Sequence, residues 1–589
     1  MERLIAQNRS SLFVIGTASD ASASERYAAD ELRYYLERMT AAPITVTTIV
    51  PSDGRMIAVG SLASETLGIF DSSLGEDGFL IRTVGATIAV IGGKRGVIYG
   101  VYELLEQLGC RFFTANCEQI PTRPTLTISD LDIRQVPALE YRDHNYYEPV
   151  TQPRFAVKLR LNGSSSKIPE KCGGHLSYVW FCHTFSKLVP SAEYAESHPE
   201  YFSLKDGKRI TDPRFGQLCL TNPDVLEIAI ENVRKALIAH PESRIISITQ
   251  NDNFGNCQCD ACRASDKAMH SPAGTMLKFV NAVAERLEPE FPNTIFDTFA
   301  YTYTRPVPID VRPRHNVCVR LCSIEACFAH PFEACDDERG VRRPDGSRSS
   351  FIRDLTDWGN CCDRLYIWDY TTCFAHYPMP FPNWRCLQPN MRAFVRNHVR
   401  GVFEQANGAS RGGTDLNELR AYLLSKLMWD AETDVDRHIR EFTDAFYGSA
   451  APYIRQYMDV LCDTAEVENI HVGFNNSLDT PLFRDEILDR LDALLDQAEQ
   501  TVSGDPLRLW RVGKVRLSVR WVGLKRKTQL ENEYNPEEIN QFFADWQAYG
   551  MTRIDEWVSR ETTHKALLRG LWRGTSFYEH WAGEGPEQL

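Results

Sequence analysis

The 589-residue chain has no apolar run long enough to cross a bilayer. Its opening residues, MERLIAQNRSSLFVIG, lack the apolar stretch and small-residue cleavage site of a secretory leader. Positive charge is not in excess: 65 basic residues face 79 acidic ones, a net charge of -14. Neither a nucleic-acid partner nor a membrane partner is expected on these grounds. There is no internal repeat and no low-complexity run. Cysteine is abundant, yet the 17 residues are scattered and do not take the spacing of a small secreted framework. Reduced thiols and a cytoplasmic location are the expectation. The glycine pair Gly92-Gly93 fits neither the dinucleotide fingerprint nor the P-loop. A tight turn between strand and helix accounts for it.

What remains is an ordinary globular composition, 43% hydrophobic and 24% charged, in a chain long enough for several domains. Residues 1–133 read as an α/β domain. Strands are expected at Leu12–Ile15, Met56–Val59 and Phe79–Ile81, and Ser24 as the cap of a helix burying Ala28, Leu32, Leu36 and Met39. A further strand from Ile88 leads to a helix with Val97, Val101, Leu104 and Leu108 on one face, closed by Gly109.

Residues 134–411 hold eight strand-like segments separated by helix-like ones. They begin near Leu139, Val157, Val179, Arg244, Thr294, Val317, Arg364 and Gly401. This alternation predicts a (β/α)8 TIM barrel, and so an α/β fold class for the chain. Residues 412–589 read as a helical region. It starts with an Asp415-capped helix over Leu416–Trp429, and a final helix is expected over Pro536–Arg560.

Chemistry in such barrels sits beyond the carboxyl ends of the strands. Four carboxylates occupy those places: Asp252, Glu325, Asp369 and Glu404. Glycoside hydrolysis uses two carboxyl groups, or one with help from a substrate acetamido group. One of the four, Asp369 above all, is expected to pair instead with Arg142, Arg160 or Arg320. Trp180, Tyr301, Tyr303, Trp368, Tyr370 and Phe374 accompany the acids and could stack on a sugar ring. Asn251, His183, His376 and Arg142 complete the set of expected substrate contacts. Glu325 and Glu404 are the expected proton donors, and Asp252, in its polar setting, the group that holds an acetamido or stabilises positive charge.

No paired CxxC…CxxC is present. The run Cys257-Gln-Cys259-Asp-Ala-Cys262 does bring three thiols close enough for a structural zinc, with His270, Cys219 or Cys322 as fourth ligand. Cys327, His330 and Cys335 form a second cluster beside Glu325. No cofactor is expected for catalysis.

The stretch GGKRGVIYGVYELLEQLGCRF resembles the N-terminal domain of α-glucuronidases, α-N-acetylglucosaminidases and β-hexosaminidases, which precedes a (β/α)8 catalytic barrel. Further on, WFCHTFSKLVP, QNDNFGNCQCDACRA, LCSIEACFAHPF, LYIWDYTTCFAHYPMPFPN and ELRAYLLSKLMWD resemble a bacterial barrel family catalogued as a domain of unknown function. That family is related to endo-β-N-acetylglucosaminidases of the glycoside hydrolase family 163 type. The resemblance implies hydrolysis of N-acetylhexosamine-containing glycans, retaining and substrate-assisted, with an oligosaccharide as partner. Two other readings stay open: an inverting α-glucuronidase-like exo-glycosidase, with Arg142, Arg160, Lys158 and Arg320 facing a uronate, and a non-catalytic carbohydrate-binding barrel. The adjacent Asp-Glu pair of β-hexosaminidases is absent; the matching strand ends Asn251-Asp252.

Overall fold

The computed structural model describes residues 2–336, 341–342, 348–408, 415–529, 531, 533–556 and 558–569. The chain divides into two compact units, Met1–His175 with Leu416–Ala451, and Leu176–Asp415 with Pro452–Leu589.

In the first unit a mixed sheet runs in the order Asp132–Gln135, Phe79–Val84, Thr87–Gly92, Met56–Val59, Val14–Gly16, Val46–Thr47. The helix Ala23–Thr40 buries Ala28, Leu32, Leu36 and Met39, as its 3.6-residue period requires. Its cap is Ser22 and not Ser24. Ser22 Oγ accepts from the Glu25 amide while the Glu25 carboxylate accepts from the Ser22 amide, a reciprocal box that Ser24 could not form. The glycine turn is steric: a Cβ on Gly96 would collide with the Gly78 carbonyl. Here the arginines of the sequence are spent on structure. Arg142 is fully buried, with Asp77 at 3.3 Å and the Leu139 and Arg160 carbonyls as further acceptors. Arg160 binds Glu103 at 2.7 Å and Glu106 at 3.0 Å. Trp429, ending the helix Asn417–Trp429, lies under both guanidiniums, 5.2 and 4.9 Å away. That helix is preceded by Leu416 in the left-handed region, so Asp415 is not its cap.

One predicted barrel strand is absent. Val157 falls in the helix Pro153–Lys158, which proline starts and Arg160, at φ 59°, ends. Its neighbour in sequence, Tyr141–His144, is a strand.

The second unit contributes six parallel strands, each paired with the next in the chain: β1 Tyr178–Val179, β2 Ile245–Ser247, β3 Ile295–Ala300, β4 Val317–Cys322, β5 Leu365–Tyr370 and β6 Val399–Gln405. The sheet curls as half of a barrel does. Pairing of β5 with β6 slips by one residue: Leu365 faces Val399 and Tyr366 faces Gly401, so Arg400 is extra. Two helices cover β2–β4. Both begin with a capping side chain followed by proline, Asn222-Pro223 and Ser271-Pro272. Val225, Val233, Leu237, Val280, Val283 and Leu287 from these helices share one core with Ile246, Ile248, Phe296 and Val317 of the sheet. Each large aliphatic side chain so buried contributes about 1.5–3 kcal/mol. The later helices are Ala451–Val467, Asp485–Thr501, Pro506–Gln529, Pro536–Ala548 and Arg560–Leu568. The expected helix over Pro536–Arg560 ends early, at Ala548, just before Gly550 takes φ 77°, and the next helix begins only at Arg560. No helix among the described residues is long and apolar enough to cross a membrane.

Candidate functional site

Parity along the strands decides which side chains meet. Successive side chains point to opposite faces, and register partners in neighbouring strands share a face. Trp368 is opposite Phe403, and Asp369 is opposite Glu404. The ring of Trp368 lies 4.9 Å from Phe403 and 5.6 Å from Phe299. The guanidinium of Arg320 sits within 5.1 Å of the rings of Tyr178, Phe181, Phe299 and Trp368 and binds Asp297 at 2.5 Å. This face, floored by a caged and paired arginine, is opposite the helix-packed one and is termed the cleft face.

On its rim, β2 continues into Thr249–Asp252. Tyr301, just beyond β3, donates its hydroxyl to Asp252 Oδ1 at 2.9 Å. Asp252 is exposed. The phenol of Tyr301 is pushed well above its ordinary range, by burial first and then by the neighbouring Asp252 charge, with Glu325 adding to the same field. His183, at φ 50°, packs its ring 5.7 Å from Phe299 and meets the Gln250 carbonyl through Nδ1 at 2.9 Å. Gln250 in turn donates to the Tyr301 carbonyl and to Thr304 Oγ1, each at 2.9 Å.

Glu325, three residues past β4 and partly exposed, accepts from Arg305 at 2.5 Å. Arg305 also donates to the buried Asp354 at 2.7 Å. Two carboxylates thus share one guanidinium. The Trp368 indole donates to Gln405 at 2.7 Å, and the Gln405 amide reaches Glu556 at 3.2 Å.

Asp369 and Glu404 do not join this group. Each follows an aromatic residue of the cleft face, so each points the other way. Ser323 hydrogen-bonds Asp369 and belongs to the same parity series as Val317, which lies in the helix-packed core. Asp369 is 6% exposed and Glu404 2%. Glu404 Oε2 has no hydrogen-bond partner among the described residues. Burial pushes Asp369 up to about 6 and Glu404 well above the carboxyl range, the Asp369 charge adding to the effect on Glu404. The two are register partners behind the sheet. The expected arginine partner for Asp369 is thereby replaced by Ser323 and Glu404; Glu325 is the strand-end acid that pairs with an arginine.

The other expected contacts divide. Asn251 is buried, its amide turned to the Gly216 carbonyl at 2.9 Å, and serves the loop. Trp180 packs against the helix-side core, with the Lys187 ammonium 5.8 Å from its ring. Tyr303 is pushed up by burial first and then by the charge of Asp266, in the helix Asp260–Ala268. His376 is fully buried, its ring 6.1 Å from Trp521. Arg142, as above, is held in the interior of the first unit and has no surface to offer a sugar. Burial explains Asn251, His376 and Arg142, while Trp180 and Tyr303 are partly buried; a side chain at the end of an apolar run is as often the last of the core as the first of the cleft. The sequence reading missed Arg305, Gln405, Glu556 and Gln217. Gln217 Nε2 holds the carbonyls of Asn251 and Asn253 at 2.8 and 2.9 Å, and its Oε1 accepts from the Asn251 amide. It lies in the stretch QLCLTNP, which was the one available signal.

Behind Asp252 the thiols of Cys219, Cys257, Cys259 and Cys262 lie within 4.8 Å of one another. Cys219 Sγ is 3.7 Å from Cys259 Sγ and 3.9 Å from Cys262 Sγ. A tetrahedron with zinc–sulfur bonds of about 2.3 Å has edges of about 3.8 Å. The donor set fits a closed structural zinc, with Cys219 and neither His270 nor Cys322 as fourth member.

The fold is one that known proteins share. A solved family GH115 4-O-methyl-α-glucuronidase, with specificity for decorated arabinogalactans, matches 96% of this chain and 78% of its own at 15% identity, TM-score 0.55. A family 89 glycoside hydrolase from Clostridium perfringens, solved with GlcNAc-α-1,4-galactose, matches 94% of this chain and 70% of its own at 11% identity, TM-score 0.46. A Streptomyces plicatus β-hexosaminidase, solved with GlcNAc, matches 78% of this chain and 92% of its own at 12% identity, TM-score 0.40. No curated protein matches the sequence. Residues 4–104 match the N-terminus of glycosyl hydrolase family 67. Residues 112–459, more than half of the chain, match the family described as "Domain of unknown function (DUF4838)", and the chain belongs to that family.

Proposed function

We propose that the protein is a glycoside hydrolase of N-acetylhexosamine-containing glycans, endo-β-N-acetylglucosaminidase-like, working by a retaining, substrate-assisted route. The curled sheet is taken as part of a (β/α)8 barrel. The observation that carries the reading is the Asp252–Tyr301 hydrogen bond on the cleft rim, with Glu325 in the same field. Such a route needs three things: a proton for the leaving oxygen, a group that holds the acetamido N–H, and an acetamido oxygen free to attack the anomeric carbon. Asp252, exposed and oriented by Tyr301, would accept the N–H and so sharpen the carbonyl oxygen as nucleophile. Glu325 would deliver the proton and take one back from water in the second half. Arg305 faces two carboxylates with one positive charge, and Glu325 is the one of the two that reaches solvent and a substrate. His183 and Trp368 would bound the sugar. Asp369 and Glu404, on the far side of the sheet, take no part.

The α-glucuronidase alternative draws less support. The four cations offered for a uronate are each paired already: Arg142 with Asp77, Arg160 with Glu103, Lys158 with Glu118 and Arg320 with Asp297. Proton NMR of the first-formed product from an N-acetyl-β-glucosaminide tests the proposal. Retention at the anomeric carbon is expected. Inversion would exclude the acetamido route and return the uronate reading.

The four-cysteine cluster we propose as a structural zinc behind the Asp252 loop. Cys259→Ser should lower the melting temperature and remove about one equivalent of zinc, because the metal's binding energy is folding energy. Full retention of zinc in that variant would leave four thiols and nothing more.

A further inference from the structure

A second set of metal-type donors lies elsewhere in the same unit. Cys327, His330 and Cys335 follow β4, and His471 arrives from beyond the helix Ala451–Val467. One donor atom from each lies within 4.8 Å of the others. We infer that these four residues bind a second zinc ion, in a site of two cysteines and two histidines that clips the loop after β4 to the segment around residue 471.

The distances agree with that chemistry. Tetrahedral zinc with sulfur at about 2.3 Å and nitrogen at about 2.05 Å separates S from N by about 3.6 Å. Cys327 Sγ is 3.4 Å from His330 Nδ1, and Cys335 Sγ is 3.7 Å from His471 Nδ1. The two imidazoles stand 5.0 Å apart at 67°, as neighbours on one centre do. The outer groups agree as well. His471 turns its other nitrogen, Nε2, to the Asp336 carboxylate at 3.2 Å, the usual support of a metal-bound histidine, which fixes Nδ1 as the ligand. Cys327 Sγ accepts from the Ala329 amide at 3.4 Å, a contact that suits a thiolate. Two thiolates and two neutral imidazoles around a divalent zinc ion sum to zero charge, so the complex can sit half-buried without a counter-ion.

Local chain geometry serves the same end. Cys327 and His330 are three residues apart on a tight loop, and Phe328 donates its amide to the Val472 carbonyl at 2.8 Å. Loop and segment are thus already in register at the point where the four donors meet. The clip spans 136 residues of sequence between Cys335 and His471. Closing so long a loop is where a cross-link should constrain the unfolded chain most. This site is independent of the proposed reaction.

Zinc per chain, measured on full-length protein purified without chelator, tests the inference. Wild type should hold about two equivalents, one for each cluster. His471→Ala and Cys335→Ser should each lose about one and keep the other, while Cys259→Ser should lose the complementary one. X-ray absorption at the zinc edge of wild type should average about three sulfurs and one nitrogen per metal, the mean of an all-cysteine site and a site of two cysteines and two histidines. That measurement stands even where a variant fails to fold. One equivalent in wild type with a purely sulfur shell would overturn the inference. So would two equivalents that His471→Ala leaves untouched, or a Cys327–Cys335 disulfide in the peptide map of the native protein.

Discussion

The sheet of the second unit carries two pairs of carboxylates, and they differ in almost every physical respect. Asp252 and Glu325 stand on the rim of the cleft face, each held by a donor from a neighbouring loop, Tyr301 and Arg305. Asp369 and Glu404 are buried against the helix layer and hold each other, with Ser323 as the added donor. The first pair meets solvent, each carboxyl oriented by its donor. The second keeps a proton because two adjacent buried carboxyls do not both ionise. On the proposed reading a raised proton affinity is therefore a poor guide to the working acid, since the groups that show it most strongly lie on the far side of the sheet.

Substitution can break this contrast. Asp252→Asn and Glu325→Gln should each lower turnover of an N-acetyl-β-glucosaminide by about a hundredfold or more, the scale of lost acid–base or acetamido-holding function. Circular dichroism and melting temperature should stay near wild type, since both side chains reach solvent. Equal turnover in either variant would remove that residue from the mechanism. Tyr301→Phe deletes only the hydroxyl that orients Asp252. A loss of about tenfold in kcat is expected, the worth of one hydrogen bond to a charged group. An unchanged rate would mean that Asp252 needs no orienting.

The smallest effect on activity belongs to the buried pair. Glu404→Gln should leave turnover within about twofold and change stability instead, because Gln copies the protonated acid without its proton. Glu404 is raised on folding, so the folded chain binds its proton more tightly than the unfolded chain. The stability this brings is complete below the unfolded value of about 4.3 and is lost as pH rises through the folded one. Wild type should therefore lose urea resistance as pH rises above about 4.3, and the variant should lose less of it. An identical fall in both would show that the pair is ionised in the folded protein.

Much of this was legible in the sequence, and what was not has physical reasons. β-branched runs located β2 to β6, since such residues fit a pleated buried surface. The run at Val157 misled because its apolar residues are equally compatible with one short buried helix. Strand ends located the acids but not their direction. Parity was nonetheless present: Asp369 follows Trp368 and Glu404 follows Phe403, and neighbours in a strand cannot share a face. Reading those pairs together would have split the four acids into two and two. Cys219 stood among three candidates for the fourth thiol ligand, and only the fold singles it out; the contributions of Arg305 and His471 were beyond reach, because each comes from a segment whose distance in space has no trace in local pattern.

The slip at Arg400 has a consequence for how this strand pair can evolve. From Tyr366 onward every residue of β5 keeps its partner in β6 because one surplus residue is absorbed at the entrance of the pair. A one-residue deletion in β5 between Tyr366 and Trp368 would exchange the faces of the rest of that strand at once, sending Trp368 toward the helix layer and turning Asp369 to the opposite face. Insertions and deletions among relatives should therefore collect before Tyr366 and Gly401 or after Tyr370 and Gln405, leaving the two short stretches between them ungapped.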